Sequence, residues 1–581
     1  MKENKFRSHT CGQLRLSDAG KSVRLAGWVD TIRKLGSINF FTLRDHYGIT
    51  QILVKDEKLL DGLTKESVVQ VCGTVCERES KNLKMPTGEI EVLAENISLL
   101  GRCKNVLPFE VSDAPATKEE LRLKYRFLDL RHPDLHSRIV KRAEILKYVR
   151  DSLTEMGFTE FQTPILANTS PEGARDFIVP TILAPGEFYA LPQSPQQFKQ
   201  LLMASGFDRY FQIAPCFRNE AARADRTPGE FYQIDMEMAF ATQDDVFEVC
   251  ETLATGIFSK FTKMDVSSAP FVRIKYADAI SEYCSDKPDL RNPLKVADIT
   301  DLFKDTQISF FQNQTIKAIK INASNLSRKF FDEMSAYIVS IEGKGLAWVK
   351  LNDGVLSGSF AKAMSESEKQ KLIDYFNLKD GEAVCVIAAE KTKAIYLAGA
   401  LRNELGSRLN LIDKNSVKFC WIVDFPFYEK NEETGAVDFA HNPFSMPQGE
   451  LEALNNKDPF EILAYQFDLV CNGYEMLSGA IRNHDPEIMV KAFEIAGYDR
   501  SVVESKFPAL YNAFQYGAPP HAGCAFGFDR MLMPIMGQES MREVIAFPLN
   551  KNGRDLLMGS PSVPFDHQLK ELHLKVEKNE K

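Results

Sequence analysis

The sequence lacks the closely spaced cysteine pairs that hold zinc or iron–sulfur clusters. Its 11 cysteines stand singly among 581 residues, and the nearest two, Cys72 and Cys76, do not form a C-x-x-C pair. Such scattered thiols are typical of a reducing compartment, where they serve as small buried apolar side chains. We therefore predict free thiols and no cysteine-based metal site.

The sequence also lacks a long apolar run and an excess of positive charge. The start, MKENKFRSHTCGQL, has no apolar stretch of the signal-peptide type, and no segment approaches the roughly 18 to 20 apolar residues of a membrane span. Acidic residues outnumber basic ones, 80 to 71, which gives a net charge of −9. We expect a cytoplasmic protein without a membrane partner, in which any nucleic-acid binding is confined to a local patch.

The length of the chain and the changes of residue pattern along it predict several domains, roughly two to four for a chain of this size. Short alternating segments between residues 21 and 100 predict a five-stranded barrel of the oligonucleotide-binding (OB) type over 1–106. A proline-containing, charged stretch predicts a linker or hinge at 107–133. A helix beginning near Asp134 and ending at Gly157 opens the next domain.

Mixed strand-like and helix-like segments with little chemistry predict an inserted α+β domain at 290–412. The chemistry lies on both sides of it, in 134–289 and 413–581. The first part contains CFRNEAARADRTPGEFYQIDMEMAF, residues 216–240, which predicts a hairpin around a charged loop. Alternation sends Phe231, Gln233 and Asp235 to one face of its second strand. The second part contains Asp468, Glu475 and Arg482 at intervals of seven and a small-residue strand that runs into a helix near Asp529.

These segments resemble the class II aminoacyl-tRNA synthetases. GFTEFQTPIL is similar to motif 1, whose proline, Pro164 here, lies at the dimer interface in that family. FRNE to QIDME is similar to motif 2, and GFDRM to motif 3. Further stretches, among them PEGARDF, ALPQSPQQFKQLL, HNPFSMP and NGYE, resemble the bacterial aspartyl-tRNA synthetases, and the insertion resembles their GAD domain.

The resemblance implies an enzyme that activates L-aspartate with ATP and transfers it to tRNA(Asp), working as a homodimer with Mg²⁺. Arg218, Glu475 and Arg530 match catalytic positions. The ATP-binding positions of the family fall on Arg218, Asn219, Glu220, Phe231, Glu475, Gly527, Phe528, Asp529 and Arg530. Asp468 and Glu475 match the metal ligands. The aspartate-binding positions fall on Glu172, Ser194, Gln196, Lys199, Arg218, Asp235, His441 and Arg482.

Charge is the implied basis of amino-acid selection. Lys199 and Arg482 match the pair that grips the side-chain carboxylate of the substrate. We expect asparagine to leave these two buried cations without an anion, a cost of several kcal/mol. A lysine enzyme would need acidic residues at these two positions.

The barrel patch resembles the anticodon-reading surface of the family. Arg33, Lys34, Phe40, Arg44 and Gln51 in the first strands predict a basic patch with an aromatic ring. Composition alone leaves open whether Phe40 and Phe41 instead fill the core while Arg33 and Lys34 form a solvated edge. The resemblance favours an exposed Phe40 stacked on the middle anticodon base and read together with Gln51, with Glu91 at the neighbouring guanine. In N-F-F-T only one phenylalanine can face the core.

The tRNA range stays open. Leu35 stands where relatives that charge both tRNA(Asp) and tRNA(Asn) often carry histidine, which favours tRNA(Asp) alone. RTPGEFYQ and HNPFSMP resemble lineages of relaxed specificity. Three competing functions are a synthetase for asparagine or lysine, a non-catalytic tRNA-binding relative, and an amide-forming ligase that would have no use for the barrel.

Overall fold

The computed structural model describes residues 3–35, 38–169, 174–221, 229–431 and 434–577. Its contacts divide the chain into two compact units, Met1–Asp113 and Ala114–Lys581. In the described part of the chain, no helix has the length and apolarity that crossing a membrane requires.

The smaller unit is a closed five-stranded barrel, as the sequence predicts. Its strands pair in the order β1-β2-β3-β5-β4. Phe41 is 1% exposed in the barrel core, whereas Phe40 is half-buried outside it. The strands are β1 (Ser22–Leu35), β2 (Ile38–Asp45), β3 (Gly48–Val54), β4 (Val68–Glu77) and β5 (Ile90–Gly101).

The expected basic patch is wrong for Arg44, whereas Lys34 stays exposed. Arg44 is buried and forms ion pairs with Asp30 and Glu66, so its charge is used inside the unit. The Lys34 ammonium lies 2.8 Å from a carboxylate oxygen of Glu57. The sequence pattern did not reveal Asp30 and Glu66 as partners of Arg44, because both lie outside the strand that carries Arg44.

The larger unit begins with helices where a linker was expected. Arg126 is 2% exposed, pairs with Asp129, and donates to the backbone carbonyls of Arg542, Ile545 and Ala546. A buried guanidinium held in this way needs every partner, so this segment is part of the packed unit. The division between the units falls at 113/114. The helices are α1 (Glu119–Lys124), α2 (Arg126–Asp129) and α3 (Pro133–Glu155).

The elements that follow α3 provide the motif 1 and motif 2 regions. After α3 the chain turns at Gly157, whose φ of +83° suits glycine. The elements are β6 (Thr159–Glu160), β7 (Ile178–Pro180), β8 (Phe188–Ala190), α4 (Gln196–Ala204), β9 (Arg209–Arg218), β10 (Gly229–Ala239), α5 (Gln243–Phe261), β11 (Asp265–Val266), β12 (Val272–Lys275) and α6 (Tyr276–Tyr283).

A separate five-stranded sheet lies within the stretch where the sequence predicts an inserted α+β domain. Its strand order is β13-β14-β17-β15-β16, and apolar cores cover its two faces. The elements are β13 (Ala297–Asp298), β14 (Thr315–Asn322), α7 (Arg328–Ser340), β15 (Ala347–Asn352), β16 (Val355–Gly358), α8 (Glu366–Phe376), β17 (Glu382–Ala389) and α9 (Lys391–Arg408).

The rest of the chain returns to the main sheet and adds helices around it. The elements are β18 (Ser416–Val417), β19 (Phe419–Pro426), β20 (Tyr428–Lys430), β21 (Val437–Phe439), α10 (Glu450–Asn456), β22 (Leu463–Cys471), β23 (Tyr474–Ile481), α11 (Pro486–Ile495), α12 (Arg500–Lys506), α13 (Pro508–Gln515), β24 (His521–Gly527), α14 (Phe528–Met536) and α15 (Asp566–Glu571).

The main sheet has eight strands in the order β12-β19-β22-β23-β24-β10-β9-β6. All neighbours are antiparallel except the pairs β12–β19 and β9–β6 at the two edges. The predicted hairpin is confirmed as β9 and β10, whose connecting residues 222–228 lie outside the described part. The predicted motif 1 strand is the edge strand β6, and its proline follows where no neighbouring strand needs an N–H.

One face of this sheet is apolar and the other is charged. Ile234, Met236 and Met238 of β10 pack into the main core, which α5 covers. The intervening residues point the other way because side chains alternate along a strand. Burying one face on helices therefore leaves polar side chains of the central strands facing a common cavity.

Candidate active site

A cavity of about 850 Å³ lies over the charged face of the main sheet. Its walls come from β9, β10, β23, β24, α4, α14 and the loop at 441–445. Most residues that the sequence predicts for the site line it: Ser194, Gln196, Lys199, Arg218, Glu220, Phe231, Asp235, His441, Glu475, Arg482, Gly527, Asp529 and Arg530.

Four buried charges meet at one end of this cavity. The Lys199 ammonium lies 2.7 Å from Asp235 Oδ1 and 3.3 Å from Glu237 Oε2. Arg482 donates twice to Glu237, from Nε at 2.9 Å and from Nη2 at 3.2 Å. All four residues are at most 2% exposed. The end of the cavity therefore contains two cations and two carboxylates in one bonded network.

Burial and neighbouring charge act against each other on the two carboxyls. Burial raises the pKa of Asp235, and the Lys199 charge offsets this effect only in part. Burial also acts to raise the pKa of Glu237, but the charges of Arg482 and Lys199 outweigh it and lower that pKa. Glu237 is therefore ionised and binds both cations.

Glu237 changes one sequence-based expectation. Lys199 and Arg482 were expected to lack an anion unless aspartate binds, and this is wrong because Glu237 contacts both. Sequence reasoning missed this residue, although its signal was present: it follows Asp235 by two positions on the same face of β10. The partner cations come from α4 and from the end of β23, which no strand pattern reveals.

Arg218 and Phe231 form a stacked pair farther along the cavity. The centre of the Arg218 guanidinium lies 5.0 Å from the centroid of the Phe231 ring. Arg218 Nε is buried and has no hydrogen-bond partner among the described residues. An unmatched buried donor beside an aromatic ring suits an anionic, partly planar ligand.

Arg530 and Glu475 lie together on the same cavity wall. Arg530 Nη1 donates to the Glu475 backbone carbonyl at 2.9 Å and lies 3.6 Å from Glu475 Oε1. Asp529 lines the cavity but is bonded to Arg142 and accepts from the Tyr232 amide at 3.0 Å. Its carboxylate thus fixes the start of α14, which positions Arg530.

Two predicted ATP-binding residues do not line the cavity with their side chains. Phe528 is fully buried in the main core. Asn219 is exposed, and its backbone amide donates to the Arg175 carbonyl. Any contribution of Phe528 to the site must come from its backbone.

Asp468 and Glu475 form a carboxylate pair in which Glu475 lines the cavity and Asp468 lies behind it. Asp468 is 4% exposed, does not itself line the cavity, and has no hydrogen-bond partner for Oδ1 among the described residues. Burial and the Glu475 charge raise the pKa of Asp468 to about 8. Lys287, which sequence reasoning missed, places its ammonium 3.5 Å from Glu475 Oε2.

The pair fits magnesium better than a metal held by protein alone. No group of three or more acidic, histidine or cysteine side chains in the described ranges is arranged to hold a metal ion. Mg²⁺ typically binds through one or two carboxylates and takes its other ligands from water and phosphate. Two carboxylates with an unmatched buried oxygen match that requirement.

Three further predicted aspartate-binding residues, Ser194, Gln196 and His441, line the same cavity. Gln196 Nε2 is buried without a partner among the described residues, and Ser194 Oγ accepts from the Gln196 amide at 3.3 Å. Burial lowers the pKa of His441, although Asp286 opposes this effect. Glu172 lies outside the described residues.

The barrel carries its predicted residues on one outer face. Phe40 lies opposite Arg33 on β1, and Gln51 of β3 donates to Glu91 of β5 at 2.8 Å. Arg33 is exposed, whereas Glu91 is only 8% exposed. The backbone of Leu35 ends β1, and its side chain is outside the described set.

Arg78 is an additional candidate on the same face. Cys76 pairs with Glu91 across β4 and β5, and Arg78 follows Cys76 by two residues. Its Nη1 is buried without a hydrogen-bond partner among the described residues. A guanidinium nitrogen without a partner among the described residues adds a donor to a surface that already has an aromatic ring and an amide.

Each of the two units matches a known protein family. Residues 118–551 match the family described as tRNA synthetases class II (D, K and N). Residues 23–100 match the OB-fold nucleic acid binding domain. The family match covers most of the chain.

Relatives of known name are similar over nearly the whole length. The aspartate–tRNA ligase of Streptomyces avermitilis is 51% identical over 583 residues, which is 99% of each chain. The aspartate–tRNA(Asp/Asn) ligase of Rickettsia bellii is 50% identical over 589 residues, 98% of each chain.

Solved structures share the fold. A putative aspartyl-tRNA synthetase from Leishmania major superposes with a TM-score of 0.60 at 20% identity over 94% of both chains. An asparaginyl-tRNA synthetase from Pyrococcus horikoshii, complexed with asparaginyl-adenylate, gives 0.55 at 20% identity over 93% of this chain and 97% of that one. At this identity the likeness concerns the fold alone.

The raised pKa of Asp468 predicts a pH-dependent stability. Folding takes up a proton at this carboxyl between its ordinary pKa of 3.8 and its folded value of about 8. Its contribution to stability is therefore complete at acid pH and is lost as the pH rises through about 8. Without divalent cations, the melting temperature of the wild type should fall relative to that of Asp468→Asn between about pH 6 and about pH 9, by several degrees.

Differential scanning fluorimetry would measure this difference. Asp499→Asn is the control, because Asp499 caps an exposed helix and its pKa is lowered, so it stays ionised over this range. A constant offset between wild type and Asp468→Asn across the range would contradict the assignment.

Proposed function

We propose, because this chain belongs to the class II tRNA synthetases for aspartate, lysine and asparagine, that it activates L-aspartate with ATP and transfers it to tRNA(Asp). The observation that carries the choice of amino acid is the charged end of the cavity, where Lys199 and Arg482 lie buried beside Asp235 and Glu237. Relatives about 50% identical over nearly the whole chain bear the name aspartate–tRNA ligase.

The first step joins two anions, and electrostatics is its main obstacle. The α-carboxylate of aspartate attacks the α-phosphorus of ATP, pyrophosphate leaves, and aspartyl-adenylate remains. Arg218 bridges carboxylate and α-phosphate with donors that stay bonded as charge builds at phosphorus. No general base is required, because the carboxylate is already ionised, so positioning carries the step.

The same geometry supports the proposed ATP positions. Arg218 covers one face of the Phe231 ring, which leaves the other face for adenine. Glu220 holds the adenine edge, and Arg530 binds the γ-phosphate. Asp468 and Glu475 would hold Mg²⁺, which neutralises the leaving pyrophosphate when it is bound.

Aspartate selection uses both ends of the substrate. The side-chain carboxylate meets Lys199 and Arg482, while Asp235, Gln196 and His441 lie beside the ammonium group and Ser194 adds a further polar group. Glu172, which lies outside the described residues, is assigned to the ammonium group by the family resemblance alone. Lysine would bring a third cation to the two that are already there. This arrangement also argues against a non-catalytic relative, because Arg218, Glu475 and Arg530 all line one cavity.

The barrel supplies the tRNA contact. Phe40 stacks on an anticodon base and Gln51 reads its edge, with Arg33, Leu35 and Glu91 nearby. The second step then transfers the aspartyl group to the 3′ end of tRNA and releases AMP. Such a reaction takes place in the cytoplasm, where tRNA is used. Residues 290–412 form the inserted GAD domain of the bacterial enzymes.

We expect the protein to form a homodimer through the motif 1 edge. Pro164 is exposed beside β6, and so are the apolar Ile165 (46%) and Leu166 (53%). Exposed apolar side chains next to a sheet edge favour an interface. Sedimentation equilibrium should give twice the mass of one chain, and Leu166→Glu should shift the equilibrium toward monomer. A wild-type monomer at micromolar concentration would contradict the assignment.

Aminoacylation with radiolabelled aspartate tests the proposed function and its tRNA range. Purified tRNA(Asp) and tRNA(Asn) transcripts are charged in parallel by wild type and by Leu35→His. We expect wild type to charge tRNA(Asp), and Leu35→His to gain activity on tRNA(Asn). No charging and no aspartate-dependent ATP–pyrophosphate exchange would refute the function, whereas equal charging of both transcripts by wild type would refute only the role of Leu35.

Phe40→Ala separates tRNA binding from activation. Loss of one base–aromatic stack costs roughly 1 to 3 kcal/mol, so kcat/KM for tRNA charging should fall by about tenfold to a hundredfold. Aspartate-dependent pyrophosphate exchange should not change. Tyr47→Ala is the control, because Tyr47 is a 54% exposed aromatic on the turn between β2 and β3. Equal charging losses in both variants would contradict a specific role for Phe40.

A further inference from the structure

We propose that Glu237 is the positioning residue that sets amino-acid specificity, by orienting both Arg482 and Lys199 toward the side-chain carboxylate of the substrate. The inference rests on the proposed activation of aspartate. Glu237 itself does not line the cavity, whereas both of its partners do. It therefore acts through them.

The bonds to Arg482 fix the plane of its guanidinium group. Glu237 accepts from Nε and Nη2, which occupies one of the two edges from which arginine can donate a bidentate pair. The other edge, formed by Nη1 and the second Nη2 hydrogen, remains for a ligand. Because Arg482 lines the cavity, this free edge provides the fork that a carboxylate matches.

Lys199 is oriented by the same carboxylate. Its ammonium has three donors, and two of them point toward Asp235 at 2.7 Å and Glu237 at 3.3 Å. One donor is left for a ligand in the cavity. Glu237 thus fixes the direction of the remaining donors on both cations at once.

The backbone of β24 makes room for this carboxylate. Glu237 is 0% exposed, and it pairs with Gly523 across β10 and β24. A Cβ at position 523 would lie 1.9 Å from Glu237 Oε2. Only glycine leaves the space that the carboxylate needs to reach Arg482 and Lys199.

In the ion-paired state favoured by the 2.7 Å contact between Lys199 and Asp235, the charges in this network sum to zero before any ligand binds. Lys199 and Arg482 contribute two positive charges, and Asp235 and Glu237 two negative ones. The ammonium and side-chain carboxylate of aspartate also cancel, so the occupied pocket stays neutral. Asparagine adds only its ammonium and leaves one positive charge unbalanced in a buried site. Discrimination between aspartate and asparagine therefore depends on the zero net charge of the occupied pocket and on the fixed orientation of the Lys199 and Arg482 donors.

Glu237→Gln tests the inference in the full-length enzyme. The substitution preserves shape but turns an amide N–H₂ toward the N–H groups of Arg482 or Lys199, so that donors face donors. Because hydrogen bonds to two charged groups are lost or weakened, we expect KM for aspartate in pyrophosphate exchange to rise at least about tenfold. KM for ATP should change less than about threefold, and the preference for aspartate over asparagine should fall at least about tenfold.

Glu251→Gln is the matched control. Glu251 is also a buried carboxylate of the main core, 6% exposed, and accepts from the Trp421 indole at 2.8 Å and the Phe271 amide at 3.0 Å. It does not line the cavity. A general effect of removing a buried charge would appear in both variants, whereas a positioning role predicts the selective rise in KM for aspartate in Glu237→Gln alone.

Glu237→Asp keeps the test decisive if Glu237→Gln fails to fold. It retains the charge but shortens the side chain by one methylene, and should likewise raise KM for aspartate while sparing KM for ATP. An unchanged KM for aspartate in the folded variant, or parallel rises in both KM values, would overturn the positioning role. If wild type itself activates no aspartate, the proposed function fails with it, and the two failures are thereby distinguished.

Discussion

The bonded network of Lys199, Asp235, Glu237 and Arg482 is the constraint on which the rest of the site depends. Removing four ionised groups from water is costly, and such a cluster persists only when each member has partners of good geometry. Here the partners come from α4, β10 and the end of β23, and Arg482 at the end of β23 is separated from Glu237 by 245 positions in sequence. The main sheet must therefore hold these elements in one arrangement, and the substrate end of the cavity follows from it.

The antiparallel sheet suits this site because side chains alternate along each strand, so that one face of a strand packs into the core while the other carries the charged groups. In β10, Ile234 and Met236 pack into the apolar core, while Asp235 and Glu237 face the ion network. The packing of Ile234 and Met236 in the core fixes the position and register of β10, and this keeps the two carboxylates within bonding distance of their cations. A rigid strand thus provides the positional accuracy that electrostatic catalysis requires.

Sequence reasoning found what local patterns encode. The five barrel strands, the β9–β10 hairpin and the helix that follows the β24 strand all have local signals, and the structure confirms them. Most of the catalytic, ATP-binding and aspartate-binding residues that motif order predicted line the cavity. What it missed depends on distant partners: Glu237 is defined by Arg482, and the burial of Arg44 by Glu66. The helices at 119–129 looked like a linker because their stability comes from carbonyls more than 400 residues away.

Direct binding of amino acids to the wild-type enzyme tests the central claim that a neutral, oriented ion network selects a carboxylate side chain. Isothermal titration calorimetry would compare L-aspartate with L-asparagine at low and high salt. We predict that asparagine binds at least about a hundredfold more weakly, because one charge stays unbalanced in a buried site. We also predict that salt changes the aspartate affinity little, since buried charges are weakly screened. Asparagine binding within about tenfold of aspartate would contradict it.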